Sequence, residues 1–159
     1  MGSTSGSYNG ENYRDAKAGE YVQYALENKG KESTNVSLML RFTTADKGRA
    51  ASIYVDNVKI ADITIPSSVK NSDNGFYNIE YRIPDELLKD SQGKTKDKLT
   101  FKIVASNSTF MPGLYYLRLL KDYDDHAYTW TATDWEQHKK AQKHLKIQRQ
   151  NLFFVQVDF

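Results

Sequence analysis

The 159 residues carry 22 Lys and Arg against 20 Asp and Glu, a formal charge of +2. That balance gives no whole-molecule case for nucleic acid or an anionic membrane as partner. With 39% apolar residues, 13% aromatics and no cysteine, the chain fits one globular domain with its own core, and disulfides, thiol nucleophiles and cysteine-ligated zinc are excluded.

Residues 1–10 are small and polar and read as a flexible leader or linker. They lack the basic region and apolar run of a signal peptide, so any export signal is expected outside this stretch. No apolar run approaches the roughly 18 residues of a membrane span. From Gly19 the pattern alternates: Val22, Tyr24 and Leu26 share one face, then Val36, Leu38, Leu40 and Phe42 share another, as half-buried strands require. Thr44 to Arg49 is a loop with Gly48 at a positive-φ position. Ala51 to Ile65 predicts a hairpin turning at Asp56-Asn57, two residues that tolerate left-handed backbone. Tyr77, Ile79, Tyr81 and Ile83 form the next alternating set, and Pro84 to Leu88 one helical turn led by proline and acids. Leu99, Phe101, Ile103 and Ala105, then Gly113 to Leu120, supply two more strands.

Short strands separated by polar turns argue for an all-β, antiparallel β-sandwich of jelly-roll, galactose-binding-like type over residues 11–128. Residues 129–159 form a C-terminal extension. A capping box at Thr133 or Asp134 and the Glu136–Lys140 spacing predict a helix over 134–150, and Phe153, Val155, Val157 and Phe159 predict a strand over 152–159.

Several segments are similar to known families. Gly19-Glu20-Tyr21-Val22-Gln23-Tyr24, Leu40-Arg41-Phe42, Gly48-Arg49 and Ile53-Tyr54-Val55-Asp56 resemble carbohydrate-binding modules of galactose-binding-like fold. Asn12 to Ala16, Gly75 to Tyr81, Ile83 to Leu88 and Leu114 to Leu120 resemble the accessory C-terminal domain of bacterial enzymes like the β-L-arabinofuranosidases of glycoside hydrolase family 127. The resemblance spans roughly residues 11–135; Asp56-Asn57 replaces the commoner Asp-Gly turn, and residues 136–159 match neither pattern. It implies a non-catalytic, carbohydrate-binding-like accessory domain of a larger enzyme acting on plant-type glycans. It further implies a periplasmic or extracellular setting and the catalytic domain of the same parent chain as partner. The family's catalytic residues lie in a separate domain, so none transfers. The alternative is a structural domain that packs on its catalytic domain or mediates dimerisation and binds no sugar.

A sugar face needs an aromatic plane for stacking, with polar groups beside it for the hydroxyls. Tyr13, Arg14 and Asp15 offer this combination, Asp46 and Arg49 add polar groups from a second loop, and Asn107 with Phe110 from a third. Asp122, Asp124 and Asp125, beside His126, are residues a structural calcium could use. Without EF-hand spacing or a second cluster, a solvated turn is the simpler reading, and neither metal nor cofactor is expected. Glu80 and Glu86 show no pairing of the kind that glycoside hydrolysis needs. His138 and His144 stand six apart, off the ligand spacing of a metal-binding helix.

Overall fold

The computed structural model describes residues 2–29, 35–70, 72–121 and 153–159. Ten strands account for most of them: β1 (Ser3–Tyr8), β2 (Glu11–Ala16), β3 (Tyr21–Glu27), β4 (Ser37–Thr43), β5 (Ala50–Val55), β6 (Val58–Thr64), β7 (Phe76–Arg82), β8 (Lys98–Ala105), β9 (Tyr116–Leu120) and β10 (Phe153–Asp158). One four-stranded sheet runs β10-β9-β4-β7 and another β3-β8-β5-β6, all neighbours antiparallel; β1 and β2 pair in a sheet of their own. The chain is an antiparallel β-sandwich, as its alternation predicts.

Period-two side chains build the core between the four-stranded sheets. Leu38, Leu40, Phe42, Tyr77, Leu117 and Leu119 come from one sheet. Val22, Leu26, Ile53, Val55, Leu99, Phe101 and Ile103 come from the other, and all are buried in one cluster. β4 is buried on both faces. Its second set, Ser37, Met39, Arg41 and Thr43, is as enclosed as its first, so Arg41 is not the solvated outer-face residue that alternation suggests.

The β5–β6 turn has Asp56 at φ 46° and Asn57 at φ 67°, the pair of left-handed positions a two-residue hairpin loop demands. Asp56 also braces β8: its Oδ1 accepts from Thr100 N at 2.8 Å and its Oδ2 from Lys96 Nζ at 2.7 Å. Gly48 has φ 82°. The turn after Pro84 is a short 3-10 helix, Asp85–Leu88.

Three sequence expectations change. Residues 3–8 are not a flexible leader; they form β1, paired along its length with β2 through a turn at Asn9 (φ 47°) and Gly10 (φ 83°). Tyr13 to Asp15 therefore lie in a strand and not in a loop. The strand expected from Gly113 begins at Tyr116, because Leu114 spends its backbone groups on Arg14. The strand expected over 152–159 is β10, antiparallel to β9. The helix expected over 134–150, together with Asp122, Asp124 and Asp125, lies outside the described residues.

Candidate functional site

The β1–β2 hairpin carries three of the candidate residues, so its anchoring decides the site. Arg14 N donates to Leu114 O at 3.0 Å and Leu114 N to Arg14 O at 2.8 Å, while Met111 N donates to Ala16 O at 2.9 Å. At the other end of β2, Glu11 takes both arms of Arg41: Nε to Oε2 at 2.8 Å and Nη2 to Oε1 at 2.7 Å. The Arg41 guanidinium lies 4.8 Å from the centre of the Phe76 ring. Such a two-pronged, charge-assisted contact fixes orientation as well as position. Alternation along β2 then sets Tyr13 and Asp15 on one face and Arg14 on the other.

Tyr13 fits between glycines. A Cβ at Gly6 would stand 2.6 Å from its Cζ and Oη, and one at Gly113 would stand 3.2 Å from its ring carbons. Behind it Tyr115 sits at 5.6 Å between ring centres, Phe76 at 4.9 Å from Tyr115, and Tyr8 at 6.1 Å from Phe76. Burial holds the Tyr115 hydroxyl well above its ordinary range.

A charged cluster adjoins this aromatic row. Asp46 ends the 3-10 turn Thr44–Asp46, which begins with Thr43 Oγ1 accepting from Ala45 N at 3.3 Å. Its Oδ2 accepts from Gly113 N at 2.8 Å, and Arg49 lies 3.1 Å from Asp46 and 3.6 Å from Asp15. Arg49 also donates to Met111 O at 3.4 Å and lies 5.8 Å from the Phe110 ring centre. Thr4 Oγ1 donates to Asp15. Burial raises the Asp46 pKa above the usual carboxylate range, helped by the Asp15 charge and opposed by the Gly113 N–H and Arg49. With their oxygens bound in this way, Asp15 and Asp46 are a scaffold and not an acid–base pair awaiting a substrate.

Beside the cluster opens a cleft of about 580 Å³ lined by Ser5, Gly6, Ser7, Asn12, Tyr13, Arg14 and Phe159. Phe159 rests on Tyr24 with ring centres 5.0 Å apart. Ser5, Ser7, Asn12 and Arg14 share the hairpin face opposite the Tyr13 ring, so the wall combines two hydroxyls, an amide and a guanidinium with Phe159, which is the chemistry for stacking on a ring and bonding its hydroxyls.

Of the residues expected from sequence, Asp15, Asp46, Arg49 and Phe110 converge, with Tyr13 packed against the Gly113 that Asp46 holds. Arg14 lies in the cleft wall. Asn107 stands apart, exposed in the 106–113 loop and facing Gly19, where a Cβ would come 3.5 Å from its Oδ1. Sequence reasoning missed the Glu11–Arg41 anchor, the glycines at 6 and 113, Tyr115 and Phe159. The Asn9-Gly10 pair was the available signal for the hairpin. Among the described residues no group of three or more Asp, Glu and His is placed to hold a metal ion, and no helix is long and apolar enough to cross a membrane.

Comparison with known proteins bears on the fold. A family 35 carbohydrate binding module from Clostridium thermocellum superposes with a TM-score of 0.53 at 14% identity, over 76% of this chain and 89% of that one. A family 35 carbohydrate binding module from an environmental isolate gives 0.52 at 14% identity, over 79% and 82%. At that identity the likeness is one of fold. No curated protein matches the chain in sequence. The model of a family described as "Family of unknown function (DUF6805)" matches residues 1–120, and the chain belongs to that family.

Proposed function

We propose that this member of the DUF6805 family is a non-catalytic carbohydrate-binding module, and that the glycan occupies the cleft walled by Arg14 and Phe159. The observation that carries this reading is the cleft itself. Ser5, Ser7, Asn12 and Arg14, on one face of the β1–β2 hairpin, line it together with the aromatic residue Phe159, so hydroxyl hydrogen bonding and ring stacking are available at one place. Two solved structures that share the fold are named as carbohydrate binding modules, which supports the class but not the ligand.

The finer reading is an accessory domain of a larger, exported glycoside hydrolase acting on plant-type glycans, with a parent like the family 127 enzymes. The sequence resemblance over residues 11–135 supports it. The sandwich would deliver its parent to substrate and do no covalent chemistry, the ion pairs around Arg49 acting as the rigid floor of the site.

NMR titration of the chain with arabinose- and galactose-containing oligosaccharides tests this. Saturable shifts centred on Tyr13, Arg14 and Ser5 are expected. Arg14→Ala should weaken binding about tenfold, the loss of one charge-assisted hydrogen bond. Silence of the folded chain across the panel would leave the sandwich as a packing or dimerisation domain.

A further inference from the structure

The strand β10 stands outside the matched family unit: that match covers residues 1–120, and β10 begins at Phe153. It nevertheless occupies a place in the sandwich. β9 pairs with β4 on one side and with β10 on the other, in the register Leu117↔Val157 and Tyr116↔Asp158. Antiparallel neighbours in sequence are ordinarily joined by a hairpin of a few residues. Here residues 121–152 intervene, so β10 returns from a distance to cap the β9 edge, which would otherwise be an open row of unpaired backbone groups.

What β10 brings is apolar contact at one end. Val157 and Phe159 pack against the main core. Phe159 lies on Tyr24 of β3, 5.0 Å between ring centres, so it joins the edges of both sheets. The same residue lines the cleft with Ser5, Ser7, Asn12 and Arg14. Tyr13, whose ring lies on the other face of the hairpin, does not supply that aromatic.

We propose that β10 is a ligand-contacting strand added to the family unit, with Phe159 as the stacking residue of the cleft. Its ligand would be an oligosaccharide end and not a single sugar, since the cleft has the volume of a whole small-molecule pocket. This rests on the glycan reading of the cleft. A sugar that touches Phe159 favours the docked strand by mass action, so sugar binding and β10 docking are coupled.

The test uses the full chain, the same panel of arabinose- and galactose-containing oligosaccharides, and three variants. Phe159→Leu keeps an apolar side chain on Tyr24 and removes the flat face; it should bind about tenfold more weakly, the worth of one aromatic contact, with a melting temperature lower by about 3 °C for the lost ring contact with Tyr24. Phe159→Tyr should restore both. Arg14→Ala should bind about tenfold more weakly. On the native chain, saturating sugar should slow amide exchange in the β9–β10 pairs, a readout that survives even if a variant misfolds. Native affinity in Phe159→Leu, or exchange in those pairs unaltered by bound sugar, would make β10 a mere edge cover while leaving the glycan reading intact. A native chain that binds no oligosaccharide of the panel would overturn both.

Discussion

Removing Glu11 tests whether the hairpin is anchored through Arg41. The Arg41 side chain is 5% exposed and its partner Glu11 36%. In Glu11→Ala, Arg41 would keep Asn78 Oδ1 at 3.4 Å, Asp73 at 3.8 Å and the rings of Phe76 and Tyr116. Breaking a fully buried pair from one side costs about 3–5 kcal/mol, and an exposed pair is worth roughly 0–1. With one partner enclosed and the other a third open, a loss of about 2 kcal/mol is expected, or about 6 °C in melting temperature for a chain of this size. The cost should fall on the hairpin first, so the Arg14 and Leu114 amides should exchange faster in the variant than those of β4 or β8. Replacing both partners with apolar residues, Glu11→Ala with Arg41→Met, should recover much of the loss because no charge is left stranded. Calorimetry and amide exchange together read the result. A melting temperature within about 1 °C of native, with hairpin exchange unchanged, would refute the anchoring role.

Gly6→Ala puts a methyl where the Tyr13 ring lies, 2.6 Å from Cζ. The ring should swing aside at a cost of about 1 kcal/mol, read as a melting temperature lower by about 3 °C; an unchanged melting temperature would refute the close packing of Tyr13 on Gly6. Asp56→Ala should cost about 2 kcal/mol, since it strands the Thr100 N–H and forces alanine to a left-handed φ, and Asp56→Asn should recover most of it in urea melts. Burial raises the hydroxyls of Tyr77, Tyr81 and Tyr115, Tyr81 to about 12, against an ordinary value of 10.0. An acid with a raised folded pKa stays protonated while the unfolded chain ionises, so its stability contribution is whole below pH 10 and is lost as pH climbs towards 12. Each such tyrosine should remove about 1.4 kcal/mol per pH unit in that window, and melts at pH 9 to 11 that do not steepen would contradict the burial described.

The strands most legible in the sequence are those with a large apolar residue at every second position, among them β3, β4, β5, β7 and β8. β1 was not, because Ser3, Thr4, Ser5, Gly6 and Ser7 carry no hydrophobic period; it is held by its turn and by its partner, and small side chains are what leave room for Tyr13. Tyr13, Asp15, Asp46, Arg49 and Phe110 could be nominated by residue type, yet their convergence depends on segments distant in sequence that meet at Gly113 and Arg49. Arg41 misled in the opposite direction. Its place in the alternation predicts an outward side chain; the return of Glu11 across the sheet, with Asn78, Asp73 and the Phe76 and Tyr116 rings, explains how a charge can be enclosed there. Phe159 could be placed in a strand by pattern, but no local signal pairs it with Tyr24.

The separateness of the β1–β2 sheet has an evolutionary consequence. Its cleft-lining positions, Ser5, Ser7, Asn12 and Arg14, alternate with the residues that moor it, and none belongs to the main hydrophobic core. Mutation at these four sites can therefore explore new ligand preferences almost without touching foldability. A combinatorial library confined to them would sample recognition on a scaffold that stays constant.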